Sequence, residues 1–143
     1  MDVEEMFASQ AADSPTPAAT QRSATGFPSP AADFSGQTLS LDRHLVRHPS
    51  ATYFCRVSGH AMQGAGIHDG DLLVVDSSLT PSHEQVVVAL LFGDLVVRRL
   101  HKTPVSAWLL AESPEKDYPP VDISQLDAAD LFWGVVTWVL HQP

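Results

Sequence analysis

From residue 52 onward, apolar and β-branched residues gather into short dense runs separated by polar, Gly-containing or Pro-containing stretches. Residues 52–57, Thr-Tyr-Phe-Cys-Arg-Val, predict a strand that runs into a polar loop at Ser58. His68-Asp69-Gly70 is a turn signal, and residues 71–76 predict a strong short strand behind it. Residues 77–82 form a polar connection containing Pro81. Residues 85–92 and 95–100 predict two strands joined by Gly93-Asp94, and Gly in first place suits a two-residue type II′ turn. That turn would set Ala89 opposite Arg98 and Val88 opposite Arg99.

Further strands are expected over 105–111 and 121–124, with a charged, Pro-rich loop over 112–120 and a turn or half helix over 125–130. Residues 131–140, carrying Trp133 and Trp138, predict a closing strand. Before the first of these strands, Asp42 is placed to cap a short helix that runs through Arg47 and stops at Pro49. The pattern predicts an all-β domain, a mainly antiparallel barrel or sandwich with short helical turns.

The first 26 residues differ. Residues 8–26 are mostly Ala, Ser, Thr, Pro and Gln without a periodic apolar pattern, too little burial to offset ordering entropy. They predict a flexible N-terminal arm over 1–26, with a short helical turn near Glu4 to Phe7, and a folded domain over 27–143. Pro28 and Pro30 force an extended course at the junction, where Phe27 and Phe34 offer apolar anchors.

Length and charge narrow the classes. The 143 residues suit one domain with a real core and are too few for two. No apolar run reaches the roughly 18 residues that cross a bilayer, and the acidic start lacks the basic opening of a secretory signal, so a cytoplasmic protein without a membrane is expected. A net charge of −9 argues against direct nucleic acid binding and fits a protein partner better.

Candidate chemistry is sparse. His44 and His48 are four apart on one expected helix face, but no Glu follows His44 as a zinc-peptidase helix requires, and no third ligand sits at a recognisable spacing. The seven histidines therefore read as surface residues, and neither metal nor cofactor is expected. Cys55, the single cysteine, reads as a buried strand residue. Asp69 and Asp71 flank Gly70 as turn residues rather than as a catalytic carboxylate pair.

Function enters through a resemblance. Ser58-Gly59-His60-Ala61-Met62 resembles the Ser-Gly-x-Ser-Met nucleophile loop of the LexA and UmuD family of self-cleaving serine peptidases. The UmuD-like branch is matched over 26–140. Gly26-Phe27-Pro28-Ser29-Pro30-Ala31-Ala32-Asp33 is similar to the stretch after the self-cleavage site, and His48-Pro49-Ser50-Ala51-Thr52-Tyr53-Phe54 to the approach to the loop. Gly66-Ile67-His68-Asp69-Gly70-Asp71-Leu72-Leu73-Val74-Val75-Asp76 and Phe132-Trp133-Gly134-Val135-Val136 resemble later family segments. The arm is too short for the helix-turn-helix domain of a LexA repressor.

In that family a Ser hydroxyl attacks a peptide bond of the protein's own arm, and a buried neutral Lys takes the proton. The resemblance sets the nucleophile position on Ala61 and the general-base position on Arg98, within Val96-Val97-Arg98-Arg99-Leu100. It sets the scissile bond between Thr25 and Gly26, where the family usually has Cys or Ala before Gly. Three departures imply a pseudo-peptidase that acts as an accessory protein in SOS-induced translesion DNA synthesis. The partners so implied are a second copy or an active relative as dimer mate, an error-prone Y-family polymerase subunit, and the RecA filament. Two other readings remain: an active self-processing peptidase using non-standard residues such as Ser58 and Lys102, and a binding module of this fold unconnected with DNA damage.

Overall fold

The β-branched runs become the walls of a closed barrel. The computed structural model describes residues 2–9, 38–115 and 117–143. Its strands are β1 (Asp2–Ala8), β2 (Thr52–Ser58), β3 (Leu72–Asp76), β4 (Val86–Leu91), β5 (Asp94–Lys102), β6 (Ala107–Leu110), β7 (Val121–Asp122) and β8 (Phe132–Leu140). Two short helices, α1 (Leu41–Leu45) and α2 (Ala128–Leu131), lie between them. All pairings are antiparallel, in the order β1-β2-β3-β8-β4-β5-β6-β7. A further contact between Asp2 of β1 and Val96 of β5 closes the first six into a barrel. Closure removes the free sheet edges that an open barrel would expose. Among the described residues no helix is long and apolar enough to cross a membrane.

The apolar run of β4 is nearly continuous because the strand is buried on both faces. Val88 joins Cys55, Val57, Leu73, Val75 and Val97 in one cluster, to which Val3, Val136 and Val139 add the remaining barrel strands. Val87 and Ala89 point the other way, into a cluster with Val96, Leu100, Leu109, Ile123 and Leu131. Burial of the Cys55 side chain pushes its thiol up to about 12, in line with an inert packing residue. Gly134 lets β8 approach β3: a Cβ there would meet Val75 Cγ1 at 2.5 Å.

Four expectations are corrected. Residues 4–7 are not a helical turn but the middle of β1, paired with β2 from Asp2 opposite Ser58 to Ala8 opposite Tyr53. A single turn of helix fixes several dihedrals for one hydrogen bond, whereas the edge of β2 offers a row of backbone partners. The α1 cap is Ser40, whose Oγ accepts from Arg43 N at 3.5 Å, while Asp42 lies inside the first turn. That helix ends at Leu45 because Val46 turns extended and is buried. The β4–β5 turn is Phe92-Gly93, with Leu91 opposite Asp94. Val88 therefore faces Val97 and Val87 faces Arg98, two positions away from the expected register. Both turn residues have positive φ, 51° and 86°, the type I′ form that matches strand twist. Finally, the 121–124 segment is a strand only at Val121–Asp122.

Phe92 is the sequence-unfriendly part of that turn: a β-carbon at positive φ costs roughly 1 kcal/mol, and the residue is 92% exposed. Phe92→Asn should stabilise the domain by about 1 kcal/mol and raise Tm by roughly 3 °C, read by thermal denaturation. An unchanged or lower Tm would contradict the turn geometry.

Asp76 anchors the start of the domain to the barrel. Its Oδ2 lies 2.6 Å from His48 Nδ1, and its Oδ1 accepts from Ser78 N at 2.9 Å and Ser78 Oγ at 2.6 Å. Burial by itself raises this carboxyl, but the Ser78 and His48 hydrogen bonds outweigh it and leave the pKa below the ordinary carboxylate range. A depressed folded value means that the contribution is present above the unfolded pKa of about 3.9 and is lost as pH falls through the folded one. Asp76→Asn should therefore cost about 1–2 kcal/mol at neutral pH, and its gap from wild type should close below about pH 4 in urea titrations. A gap that persists at low pH would contradict this assignment.

Candidate functional site

The loop that leaves β2 is held by its backbone. Gly59, at φ +92°, donates its N–H to Asp69 Oδ1 at 2.8 Å. The 68–71 turn is latched to β2 as well, through Gly70 N to Val57 O at 2.8 Å and Val57 N to Asp71 O at 3.1 Å. His60 points to solvent, whereas Ala61 and Met62 are fully buried. A 3-10 turn, Gln63–Ala65, follows, and Ile67 N closes back on Met62 O at 3.2 Å. Residue 112 staples the loop from the far side: Glu112 N donates to Ala61 O at 2.7 Å, and Gly64 N to Glu112 O at 2.7 Å.

The two arginines of β5 have different environments. Arg99 donates from Nε to Glu112 Oε1 at 2.8 Å and from Nη2 to Oε2 at 3.3 Å, with Nη1 on Glu84 O at 2.8 Å. The Glu112 hydrogen bond raises its pKa. Glu112 thus ties Arg99 and the Ala61 loop together, one by its carboxylate and the other by its backbone. Arg98 lies with its guanidinium carbon 5.4 Å from the Tyr118 ring centre, and its Nη1 donates to Val97 O at 2.8 Å. Burial lowers its pKa, while Asp2 and Tyr118 oppose that shift. An arginine starts so high that it stays protonated.

The fold brings these positions into one region. Ala61 and Val97 belong to the same core cluster, and Tyr118, beneath Arg98, packs against it. Asp2 pairs with Ser58 on one side and Val96 on the other, so β1 sets a carboxylate where loop and hairpin meet. Two further carboxylates, Asp76 and Glu84, are engaged elsewhere. Asp76 holds His48 and Ser78, and the Glu84 carboxylate lies beside His83 at 3.1 Å and His101 at 3.6 Å.

Other sequence candidates separate. His44 and His48 share no helix face, because α1 stops between them; His44 lies against Trp138 with ring centres 5.3 Å apart. Lys102 lies four residues along β5 from Arg98, about 13 Å at strand rise, and its backbone N donates to His83 Nδ1 at 3.0 Å. Thr25 and Gly26 lie outside the described residues, as do Phe27 and Phe34. Asp2, Glu112 and Tyr118 carried no motif; only the closure of β1 onto β2 and β5 and the return of the chain after β6 give them a place here.

Residues 17–137 match the family described as Peptidase S24-like. The chain belongs to that family. It is 47% identical over 117 residues to protein MucA of Salmonella typhimurium, covering 82% of this chain and 78% of the relative. It is 39% identical over 126 residues to protein ImpA of the same organism, covering 88% and 83%. A LexA repressor from Acidithiobacillus ferrooxidans is 38% identical over 122 residues, covering 84% of this chain and 58% of the repressor. Within the Peptidase S24-like family the chain is a UmuD-like member of the LexA and UmuD group, as its motifs imply.

Glu112→Gln removes the charged half of the Arg99 fork while leaving the backbone staple. It should cost about 1–2 kcal/mol of stability. Amide exchange should accelerate at Gly64 and Glu112 by more than at the β3 amides. Equal acceleration everywhere would show that the fork steadies the barrel as a whole and not the loop.

Proposed function

We propose that this chain is a catalytically silent, UmuD-like accessory protein of SOS-induced error-prone translesion DNA synthesis, acting in the cytoplasm. The observation that carries the silent reading is Ala61: a methyl group, fully buried, at the nucleophile position of a loop that is otherwise fully formed. Without an Oγ there is no atom to form the acyl intermediate. Arg98, at the base position, carries its proton at any ordinary pH and has none to gain. Losing the nucleophile of such a pair leaves only binding effects on rate. The UmuD-like role itself rests on the motifs and on the relatives, MucA and ImpA foremost.

The enzyme alternative needs other groups. Ser58 ends β2 opposite Asp2, and Lys102 sits at the far end of β5. Bringing them together means moving strand residues by several ångströms, where catalysis tolerates about 0.5 Å. A full-length chain that cannot cut itself keeps its arm, and its partners are then those of the uncleaved form: a second copy or an active relative, the polymerase subunit, and the RecA filament.

Incubation with activated RecA filaments, and separately at alkaline pH, should yield no fragment beginning at Gly26 by mass spectrometry. Such a fragment would overturn the silent reading. Ala61→Ser combined with Arg98→Lys should restore partial cleavage, slowed by Thr25. The same double variant made with Thr25→Ala should cut faster.

A further inference from the structure

Strand register assembles a group of side chains that no spacing in the sequence announces. β3 and β8 pair with Leu72 opposite Leu140, and one further step along an antiparallel ladder sets Asp71 beside His141. His141 Nδ1 lies 2.6 Å from Asp71 Oδ1. His68, in the same turn as Asp71, brings its Nδ1 to 3.7 Å from Oδ2. The two imidazole centres are 4.9 Å apart, and one donor atom from each of the three residues lies within 4.8 Å of the others.

The burial of the three is graded. The Asp71 side chain is 2% exposed, against 44% for His68 and 49% for His141. A fixed carboxylate therefore lies at the floor, with two rotatable imidazoles at a mouth open to solvent. The floor is held in place by His68 N, which donates to Asp71 Oδ2 at 2.8 Å, and by Asp71 N on His68 O at 3.0 Å. His68 Nδ1, however, is shut off from solvent and has no hydrogen-bond partner. Buried nitrogens are rarely left so.

We infer that His68, Asp71 and His141 bind a zinc ion, with water in the fourth position. Two imidazoles and a carboxylate are the donor set of a borderline divalent ion with one open site. Bonds of about 2.0–2.2 Å in a tetrahedron put ligand atoms roughly 3.3 Å apart. The 2.6 Å pair of His141 Nδ1 and Asp71 Oδ1 must open by roughly 0.7 Å, and His68 Nδ1, 3.7 Å from the other carboxylate oxygen, must swing toward the same ion. Rotation of the half-exposed rings supplies this, and the ion takes the place of the proton between His141 and Asp71. The bound ion clips the end of β8 to the turn whose Asp69 holds Gly59 of the Ala61 loop.

A second cluster, His83, Glu84 and His101, does not meet the same test. His83 Nδ1 already accepts the Lys102 N–H at 3.0 Å, so its neutral ring carries the proton on Nε2, the atom 3.1 Å from Glu84 Oε1. With Nδ1 taken up as an acceptor the proton has no other ring nitrogen to move to, as it has at His141, so Nε2 has no lone pair to offer. His83 is therefore the internal control.

The test titrates cobalt(II) into the untagged full-length chain after chelator treatment, then displaces it with zinc(II). Expected is a visible d–d absorption that saturates at one equivalent and disappears on adding zinc. His68→Gln and His141→Gln should each weaken binding at least tenfold, of the order seen even for outer-shell changes, and His83→Gln should not. Zinc should raise the Tm of the parent and of His83→Gln, and leave the other two variants unchanged. In the parent protein itself, the ring resonances of His68 and His141 should shift with zinc, while those of the other histidines stay in place. This measurement needs no variant to fold. Absent cobalt absorption, binding that survives either His68→Gln or His141→Gln, or ring shifts confined to His83 and His101 would each overturn the assignment.

Discussion

The pairing of β1 with both β2 and β5 is the constraint on which the rest depends. Without it, the other five barrel strands leave two open edges, one of them at β2 beside Ser58 and the other at β5 beside Val96. Those edges flank the Ala61 loop and the Arg98 hairpin. A seven-residue strand from the start of the chain therefore closes the barrel and completes the electrostatic setting of the site in one step, because Asp2 arrives with it. Backbone hydrogen bonds do most of this work, which is why a segment with three acidic residues in its first five can serve as a barrel strand. Its exposed side chains face water, and Val3 alone need pack inward.

Much of the domain was legible in the sequence for the same reason that β1 was not. Strands β2 to β5 and β8 carry dense β-branched runs, so their positions and the all-β class follow from local pattern. β1 has no such run, and its partner lies some fifty residues away, information that no window of sequence contains. The sequence pattern places the hairpin correctly but with the wrong pair of turn residues. Gly93 suggested a Gly-first turn, while the structure uses it second and puts Phe92 at positive φ, against its preference. The slip is two residues, so inward and outward faces survive it, and Val88 and Val97 still reach the core.

The site divides along the same line. The resemblance singles out the loop residues Ser58, Gly59, His60, Ala61 and Met62 and, on the hairpin, Arg98. It does not single out their supports: Glu112, Tyr118 and Asp2 act through register and closure. The histidines illustrate the point from the other side. His44 and His48 have suggestive spacing and no shared geometry, whereas His68 and His141 have none in sequence and are brought to one carboxylate by the β3–β8 ladder.

The decoupling of fold from chemistry at Ala61 follows from which atoms hold the loop. Among the described residues, the hydrogen bonds that shape it come from backbone groups or from Asp69, and none of them requires a side-chain oxygen at residue 61. A methyl group there packs in the barrel core and forgoes the desolvation cost of a buried hydroxyl. Stability therefore gives no resistance to a methyl group at this position. Arg98 differs, since a longer, permanently charged group needs the Tyr118 face, the Val97 carbonyl and the Asp2 field to be tolerated half-buried. Ala61 is permitted by the scaffold, and Arg98 is actively accommodated by it. The loop keeps its shape with both residues in place, because that shape depends on the backbone staple at Glu112 and on barrel closure, neither of which involves the side chain at 61 or 98.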